Sequence, residues 1–223
     1  MRSIIVTVTA VGTALAAAGG TLAAQPDLLR HPTAALSAAG PDSFTVRVFT
    51  TKGPVAVLSR RAWSPRGSDR FYHLVRLKFY DRSVFYRVLP NYIAQVGYHR
   101  DPAVTAAWDD LPIKDDKGGH PNKKGTVTFA RAGANSRTTQ IFFNLADNAN
   151  LDDLGFTPFA EVTDGMGALA ALNGEYGEVF PRGNGPKGQR IALEGPLPRA
   201  VGTHHRRPSP NRTRQHRRGD RRP

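Results

Sequence analysis

The sequence predicts a mostly β domain with two α-helices, of the β-barrel or β-sandwich kind. Three observations indicate this class. Short alternating strands recur between turn residues, only two segments have helical spacing, and no strand–helix–strand alternation runs through the chain. The 223 residues, 39% of them hydrophobic, suffice for one core. We therefore expect one folded domain with terminal segments left over.

The first elements are a hairpin and a helix. Residues 44–49 and 55–58 have strand patterns on either side of a turn that contains glycine and proline, which predicts two paired strands. Ser64 followed by Pro65 is typical of a helix start, because proline at the first helical position needs no N–H partner. Apolar residues at helical spacing then extend this helix to Lys78.

The later elements are mostly strands. They are predicted at residues 84–89, 92–96, 126–130, 140–145, 159–162 and 190–193. A second helix is predicted from a cap at Asp164 to Leu172, where Asn-Gly stops it. The polar residues 97–124 are too long for a simple connection and are interpreted as a surface excursion. Asp115 and Asp116 within it are interpreted as solvated charges.

The N-terminal residues have the pattern of a secretory signal peptide. Residues 1–24 combine one early positive charge, a short apolar run and small residues, with cleavage expected after Ala23 or Ala24. The alternative, an uncleaved membrane anchor, is disfavoured because the run is weakly hydrophobic. Residues 25–42 are interpreted as a linker and residues 43–195 as the folded domain. We expect a periplasmic or secreted protein with no membrane span after cleavage.

The C-terminal residues 196–223 contain nine arginines and one aspartate, so this tail supplies +8 of the formal net charge of +13. After Val201 it has no aliphatic or aromatic residue, which predicts disorder. It could be a basic arm for nucleic acid or another anionic surface, a solvated tail without a selected role, or a frameshifted end. The solvated tail is favoured, and no nucleic-acid partner is expected.

Several function classes lack their sequence signals. The chain has no cysteine, which excludes a disulfide scaffold, a thiol nucleophile and thiolate zinc sites. Phosphate-binding glycine loops, the H-E-x-x-H pair and the G-x-S-x-G elbow do not occur. We therefore expect a function that uses no metal and no cofactor.

Four segments in order resemble cyclophilin-type peptidyl-prolyl cis-trans isomerases. Residues 85–95 read FYRVLPNYIAQ and resemble the family's FHRVIPGFxxQ. Residues 79–81 (FYD), 138–148 (TTQIFFNLADN) and 156–166 (FTPFAEVTDGM) are similar to GFY[DN], TSQFFINLxDN and FTVFGxVxxGM. The matches span about residues 44–193. The resemblance implies a closed eight-stranded antiparallel barrel capped by two helices, with a peptide groove on its outer face. We expect a monomer.

The same resemblance implies the site. Its catalytic residues would be Arg87, Gln95 and Phe142, with Arg87 donating to the twisted amide and Gln95 helping to place it. The prolyl peptide would be bound by Tyr92, Ile93, Ala130, Arg131, Gln140, Leu151 and Phe156. Rotation about an X–Pro bond makes and breaks no bond and is slow only because of amide resonance. A cationic donor beside an apolar pocket is therefore sufficient machinery.

Two functions remain open from the sequence. The first is an isomerase that assists the folding of envelope or secreted proteins and acts on their proline-containing segments. The alternative is a non-catalytic, chaperone-like module that binds extended proline-containing segments, which is suggested by Val96 in place of a glycine and by the insertion after it. Retention of Arg87 favours the isomerase, because a binding module would not need this residue.

Overall fold

A computed structural model of the chain describes residues 5–9, 25–32, 38–175, 177–179 and 182. Two predicted features, the strand at residues 190–193 and the disordered tail at residues 196–223, lie outside the described residues. Each strand predicted between residues 44 and 162 has a counterpart in the structure.

The strands are β1 (Ile5–Thr9), β2 (Ser43–Thr50), β3 (Gly53–Arg60), β4 (Arg87–Leu89), β5 (Ile93–Val96), β6 (Thr126–Phe129), β7 (Ile141–Asn144) and β8 (Pro158–Asp164). The helices are α1 (Gln25–Arg30), α2 (Pro65–Arg76), α3 (Pro102–Asp109), α4 (Asn150–Asp153) and α5 (Met166–Ala170). Among the described residues, no helix combines the length and the apolar composition needed to cross a bilayer.

The strands form one antiparallel sheet in the order β1-β2-β3-β8-β6-β7-β5-β4. Seven of them belong to the predicted domain, and β1 comes from the segment for which a signal peptide is predicted. In the described residues the sheet has two edges, β1 and β4, so the predicted closed eight-stranded barrel is wrong. Closure needs continuous pairing around every strand, and β4 is three residues long with β5 as its partner.

The main core lies between one face of the sheet and α2. Strands β2 and β3 bury alternate residues, among them Val46 and Val57, because successive side chains of a strand point to opposite faces. Helix α2 packs Phe71 and Leu74 against them. It begins at Pro65, as predicted, but ends before the predicted Lys78, whose φ of 58° is incompatible with a continuing helix.

The second predicted helix begins later than expected. Asp164 is the last residue of β8 and does not cap the helix, which is α5 and starts at Met166. Gly165 stands between them with a φ of 90°. A Cβ on Gly165 would lie 2.3 Å from the carbonyl oxygen of Pro54, so only glycine permits this approach of the two strands.

The segment predicted as a surface excursion is partly built into the core. Its helix α3 buries Trp108 against Phe79, with ring centroids 5.8 Å apart. The indole Nε1 of Trp108 donates to the carbonyl oxygen of Leu29, 2.9 Å away. Leu29 lies in α1, within residues 25–42, the segment predicted as a linker. An ion pair of 2.8 Å between Arg30 and Asp101 also joins α1 to the start of α3.

Asp116 is buried and paired, so its interpretation as a solvated charge is wrong. Its carboxylate accepts hydrogen bonds from the hydroxyl of Ser64 and from the backbone N–H groups of Arg66 (3.2 Å) and Gly67 (3.1 Å). Arg137 donates to the same carboxylate across 3.1 Å. Asp116 therefore satisfies the first N–H groups of α2, a role the sequence suggests for Ser64, whose side chain makes no cap bond.

Candidate functional site

Strand register puts the three predicted catalytic residues in one row. Arg87 on β4 pairs with Gln95 on β5, and Gln95 pairs with Phe142 on β7. Directly paired residues project from the same face of a sheet. The neighbouring row includes Ala94 and Phe143, which belong to the main core. Arg87, Gln95 and Phe142 therefore lie on the opposite, outer face of the sheet.

A second apolar cluster, separate from the main core, covers this outer face. Its buried members are Ile93, Phe142 and Leu151, each 3–5% exposed. Its half-buried members are Leu89, Tyr92, Ala130 and Phe156. Six residues that the resemblance assigns to the site are thus brought together from four separate segments. The short helix α4, which positions Leu151, has no counterpart among the predicted elements.

Arg87 lies beside this apolar cluster and is held by two acceptors. Its Nη1 donates to Oε1 of Gln95 across 3.0 Å, as expected for a residue that helps to place it. Its Nη2 donates to Oε2 of Glu178 across 2.6 Å, and its Nε lies 2.6 Å from Oε1 of the same carboxylate. The side chains of Arg87 and Glu178 are 22% and 20% exposed, so water still reaches the pair.

Hydrogen bonds continue from Gln95 to Gln140, which precedes β7. Oε1 of Gln140 accepts from Nε2 of Gln95 across 3.1 Å and from the hydroxyl of Tyr86. Burial raises the pKa of Tyr86 well above its ordinary value, so its hydroxyl remains a donor at neutral pH. With its oxygen occupied twice, Gln140 can act further only through its amide N–H groups, and a hydrogen bond from this side chain to the hydroxyl of Tyr98 opposes the rise that burial causes in the pKa of Tyr98.

The backbone allows this arrangement through Gly97, which follows β5. Its φ is 139°, and a Cβ at this position would lie 2.4 Å from Cα of Gln140. Only a glycine lets the two segments approach this closely. The close contact holds the Gln140 segment next to Tyr98, whose ring centroid lies 4.8 Å from that of Tyr86.

Arg131, assigned to the groove through its backbone, uses its side chain to connect two segments. Its Nη1 donates to the carbonyl oxygen of Gly155 across 3.0 Å and to Oδ2 of Asp115 across 3.1 Å. The guanidinium carbon lies 5.8 Å from the ring centroid of Phe156. Asp115, in the segment of residues 97–124, is therefore linked through Arg131 to one side of the apolar cluster.

Three residues at the site are not among those predicted from the sequence. Leu89 could have been found, because it lies two positions after Arg87 on the same strand and so shares its face. Tyr86 precedes the strand in a position that the resemblance associates with histidine. Glu178 lies beyond α5 in a segment without periodicity, and nothing in its surroundings indicates a partner 91 residues away.

No group of three or more His, Cys, Asp or Glu side chains that could hold a metal ion occurs in the described parts of the chain. The site thus consists of a partly exposed cation, two amide side chains and an apolar cluster. Chemically, these groups can bind an apolar ring and donate hydrogen bonds to a neighbouring amide.

Comparison with known proteins gives a consistent family. The family model for cyclophilin type peptidyl-prolyl cis-trans isomerase/CLD matches residues 45–188. A peptidyl-prolyl cis-trans isomerase of Acinetobacter baylyi is 32% identical over 130 residues, 54% of this chain and 67% of that protein. Peptidyl-prolyl cis-trans isomerase B of Escherichia coli is 30% identical over 138 residues, 58% of this chain and 84% of that protein.

A solved structure has a similar fold. The crystal structure of a cyclophilin type peptidyl-prolyl cis-trans isomerase from Cryptosporidium parvum superposes with a TM-score of 0.50 at 21% sequence identity. The superposition covers 57% of this chain and 82% of that one. At this level of identity the likeness concerns the fold: a mostly β architecture with an antiparallel sheet and few helices.

Proposed function

The chain belongs to the cyclophilin-type peptidyl-prolyl cis-trans isomerase family, and we propose that its isomerase site is the outer-face row of Arg87, Gln95 and Phe142 with the adjoining apolar cluster. The family model covers more than half of the chain. The function of this chain is therefore catalysis of rotation about X–Pro peptide bonds. The alternative, a non-catalytic binding module, is not needed to explain the sequence. The observation that carries the assignment of the site is the position of a partly exposed guanidinium beside an apolar cluster whose outer members are half-buried.

The reaction requires weakening of amide resonance. The planar amide has partial double-bond character, which gives a rotation barrier of about 18–20 kcal/mol. In the twisted state the nitrogen regains its lone pair and can accept a hydrogen bond. A donor that interacts more strongly with this twisted state than with the planar amide lowers the barrier. Arg87 is permanently charged and is therefore suited to this role at any physiological pH.

The apolar cluster supplies the binding side of the reaction. Ile93, Phe142 and Leu151 form its buried base, and half-buried Tyr92 and Phe156 lie around them. We propose that the prolyl ring enters between these half-buried side chains and contacts Phe142. Fixing the ring leaves the preceding carbonyl group to rotate, while an amide N–H of Gln140 donates to the peptide backbone.

We further propose that this is an exported bacterial enzyme whose clients are proline-containing segments of envelope or secreted proteins. The support is the pattern of residues 1–24, with an early positive charge, an apolar run and small residues before Gln25. Intact-mass analysis of the protein from its native envelope or medium should give an N-terminus after Ala23 or Ala24. A mature protein that retains Met1 would contradict the proposal.

The assignment of the site is tested by isomerisation of a proline-containing peptide, followed by exchange NMR without a coupled protease. Arg87→Ala should lower kcat/KM about a hundredfold or more, the effect typical of a removed transition-state donor. Arg47→Ala is the matched control, because Arg47 is an exposed arginine on β2, away from the site. Full activity of Arg87→Ala would refute the proposed site.

A further inference from the structure

Glu178 is an acidic residue in direct contact with the guanidinium of Arg87. It lies in the described residues 177–179, which follow α5. One carboxylate oxygen accepts from Nη2 of Arg87 and the other lies beside Nε, each across 2.6 Å. The hydrogen bond is the one from Nη2, while Nε is within ion-pair distance of Oε1 without a hydrogen bond of good geometry, so the carboxylate holds the guanidinium by one directional bond and by charge.

The contact leaves Arg87 able to act on a substrate. A guanidinium has five N–H bonds, one on Nε and two on each terminal nitrogen. Glu178 faces Nε and one N–H of Nη2, and Gln95 accepts one N–H of Nη1. One N–H therefore remains on each terminal nitrogen. Glu178 holds the donor without using all of its hydrogen-bonding capacity.

Glu178 is itself fixed and ionised. Its Oε1 accepts the backbone N–H of Val179 across 2.9 Å, so the carboxylate is tied to its own backbone. Burial alone would raise the pKa of Glu178. The hydrogen bond from Arg87, the N–H of Val179 and the charges of Arg87 and Arg182 outweigh burial and hold this pKa below its ordinary value.

Arg87 needs such an anchor because an arginine side chain has many rotamers. Without Glu178, a single hydrogen bond to Gln95 would hold the guanidinium among the described residues. We propose that Glu178 is a positioning residue of the isomerase, whose carboxylate fixes the guanidinium of Arg87 where the twisted amide of the substrate forms. This inference rests on the proposed role of Arg87. Its effect belongs to the transition state, so it should appear in kcat rather than in KM.

The test compares four variants of the full chain by exchange NMR at several peptide concentrations. Glu178→Gln should lower kcat about tenfold and change KM less than about twofold, since misplacement of a catalytic group costs rate rather than ground-state binding. Glu178→Asp keeps a carboxylate and should recover part of the lost kcat. Glu175→Gln, an equal charge change at an exposed residue of the same segment, should leave both constants unchanged. Arg87→Ala is measured alongside.

A second measurement observes the contact directly. In the unaltered protein the Nη2–H signal of Arg87 should be protected from exchange with water and should keep a distinct ¹⁵N shift. Both features should be lost in Glu178→Gln and kept in Glu175→Gln. This reports the position of the guanidinium even where a variant loses stability.

The outcomes separate the inference from the proposed function. If Arg87→Ala is inactive and Glu178→Gln has an unchanged or raised kcat, Glu178 does not position Arg87 and the inference is wrong. An equal loss of kcat in Glu175→Gln would also overturn it, because the charge of the segment would then matter rather than the contact. If Arg87→Ala is fully active, the proposed site itself fails.

Discussion

Two arginine–carboxylate clusters of the molecule use the same chemical groups and differ in how far water reaches them. At the site, the side chains of Arg87 and Glu178 are 22% and 20% exposed. Behind the start of α2, those of Arg137 and Asp116 are 3% and 2% exposed. We call the partly exposed pair of Arg87 and Glu178 the open cluster and the buried pair of Arg137 and Asp116 the closed cluster.

The partners of each cluster explain its role. The carboxylate of Asp116 accepts five hydrogen bonds from the protein itself, so no capacity for a ligand remains, and the cluster joins residues 97–124 to α2. Arg87 donates hydrogen bonds to Gln95 and Glu178 and still has one unused N–H on each terminal nitrogen. Substitution in the closed cluster should therefore reduce stability, and substitution in the open cluster should reduce activity.

The largest effect is expected from Asp116→Ala. Removing Asp116 leaves the buried Arg137 with only the more distant carboxylate of Asp115, 3.4 Å from its Nε, and should cost about 3–5 kcal/mol of unfolding free energy. Denaturant titration measures this loss, and Asp110→Ala, at an exposed residue after α3, is the control. The isomerase activity per folded molecule should stay unchanged. A loss below about 1 kcal/mol would mean that the buried cluster behaves like a surface ion pair.

Acid should weaken the closed cluster in a defined pH range. Burial alone would raise the pKa of Asp116, but the hydrogen bond from Ser64, the charge of Arg137 and the N–H groups of α2 outweigh it and hold the pKa below the ordinary 3.8. A carboxyl group whose pKa is depressed by folding stabilises the protein above its unfolded pKa. That stabilisation is lost as pH falls from about 3.8 through the folded pKa.

The measurement is the difference in unfolding free energy between the unaltered protein and Asp116→Asn, from urea titrations across pH. This difference should be constant above about pH 5 and shrink below about pH 3.8, by up to about 1.4 kcal/mol per pH unit. A difference that stays constant into the acid range would show that Asp116 is not the group responsible.

The open cluster was partly predictable from the sequence because its main residues lie in local motifs. Arg87, Ile93 and Gln95 belong to one eleven-residue segment, and Phe142 lies in a second. Strand register then brings them to one face, since a side chain two positions along a strand points the same way. These positions follow from short-range pattern, so the resemblance could locate them.

The rest depends on contacts between distant parts of the chain. Glu178 meets Arg87 across 91 residues, and Asp116 meets α2 across about 50, in segments without periodicity. Trp108 lies in a polar stretch whose composition indicates a surface loop, although the helix around it packs inward. The closed barrel was inferred from the family and from the number of strands. Neither of these specifies whether the edge strands pair.

Asp115 contacts residues of both regions. Its Oδ1 lies 3.4 Å from Nε of Arg137, and its Oδ2 accepts from Arg131, which lies over Phe156 beside the apolar cluster. Asp115→Asn should raise KM for the peptide about threefold without changing kcat, because a partly exposed ion pair contributes at most about 1 kcal/mol. Asp153→Asn, at an exposed residue of α4, is the control. A fall in kcat at constant KM would instead assign Arg131 to the chemical step.

The smallest effect is expected from Tyr86→Phe. Its hydroxyl donates to Oε1 of Gln140, but that oxygen also accepts from Gln95, so one of two bonds remains after the substitution. Loss of one such hydrogen bond, at the low end of its usual contribution because a second bond remains, should lower kcat/KM about twofold. Tyr72→Phe, which removes a hydroxyl bonded to Arg76 outside the site, is the control.

A double-mutant cycle decides whether Tyr86 acts through Gln140. In a Gln140→Ala background, Tyr86→Phe should have no further effect on kcat/KM, because the group that it orients is absent. Burial raises the pKa of Tyr86, so the single-variant effect should also be constant from neutral to moderately alkaline pH. If Tyr86→Phe costs the same in both backgrounds, its hydroxyl acts on the peptide or on Arg87 by another route. The functional chain Arg87–Gln95–Gln140 would then not extend to Tyr86.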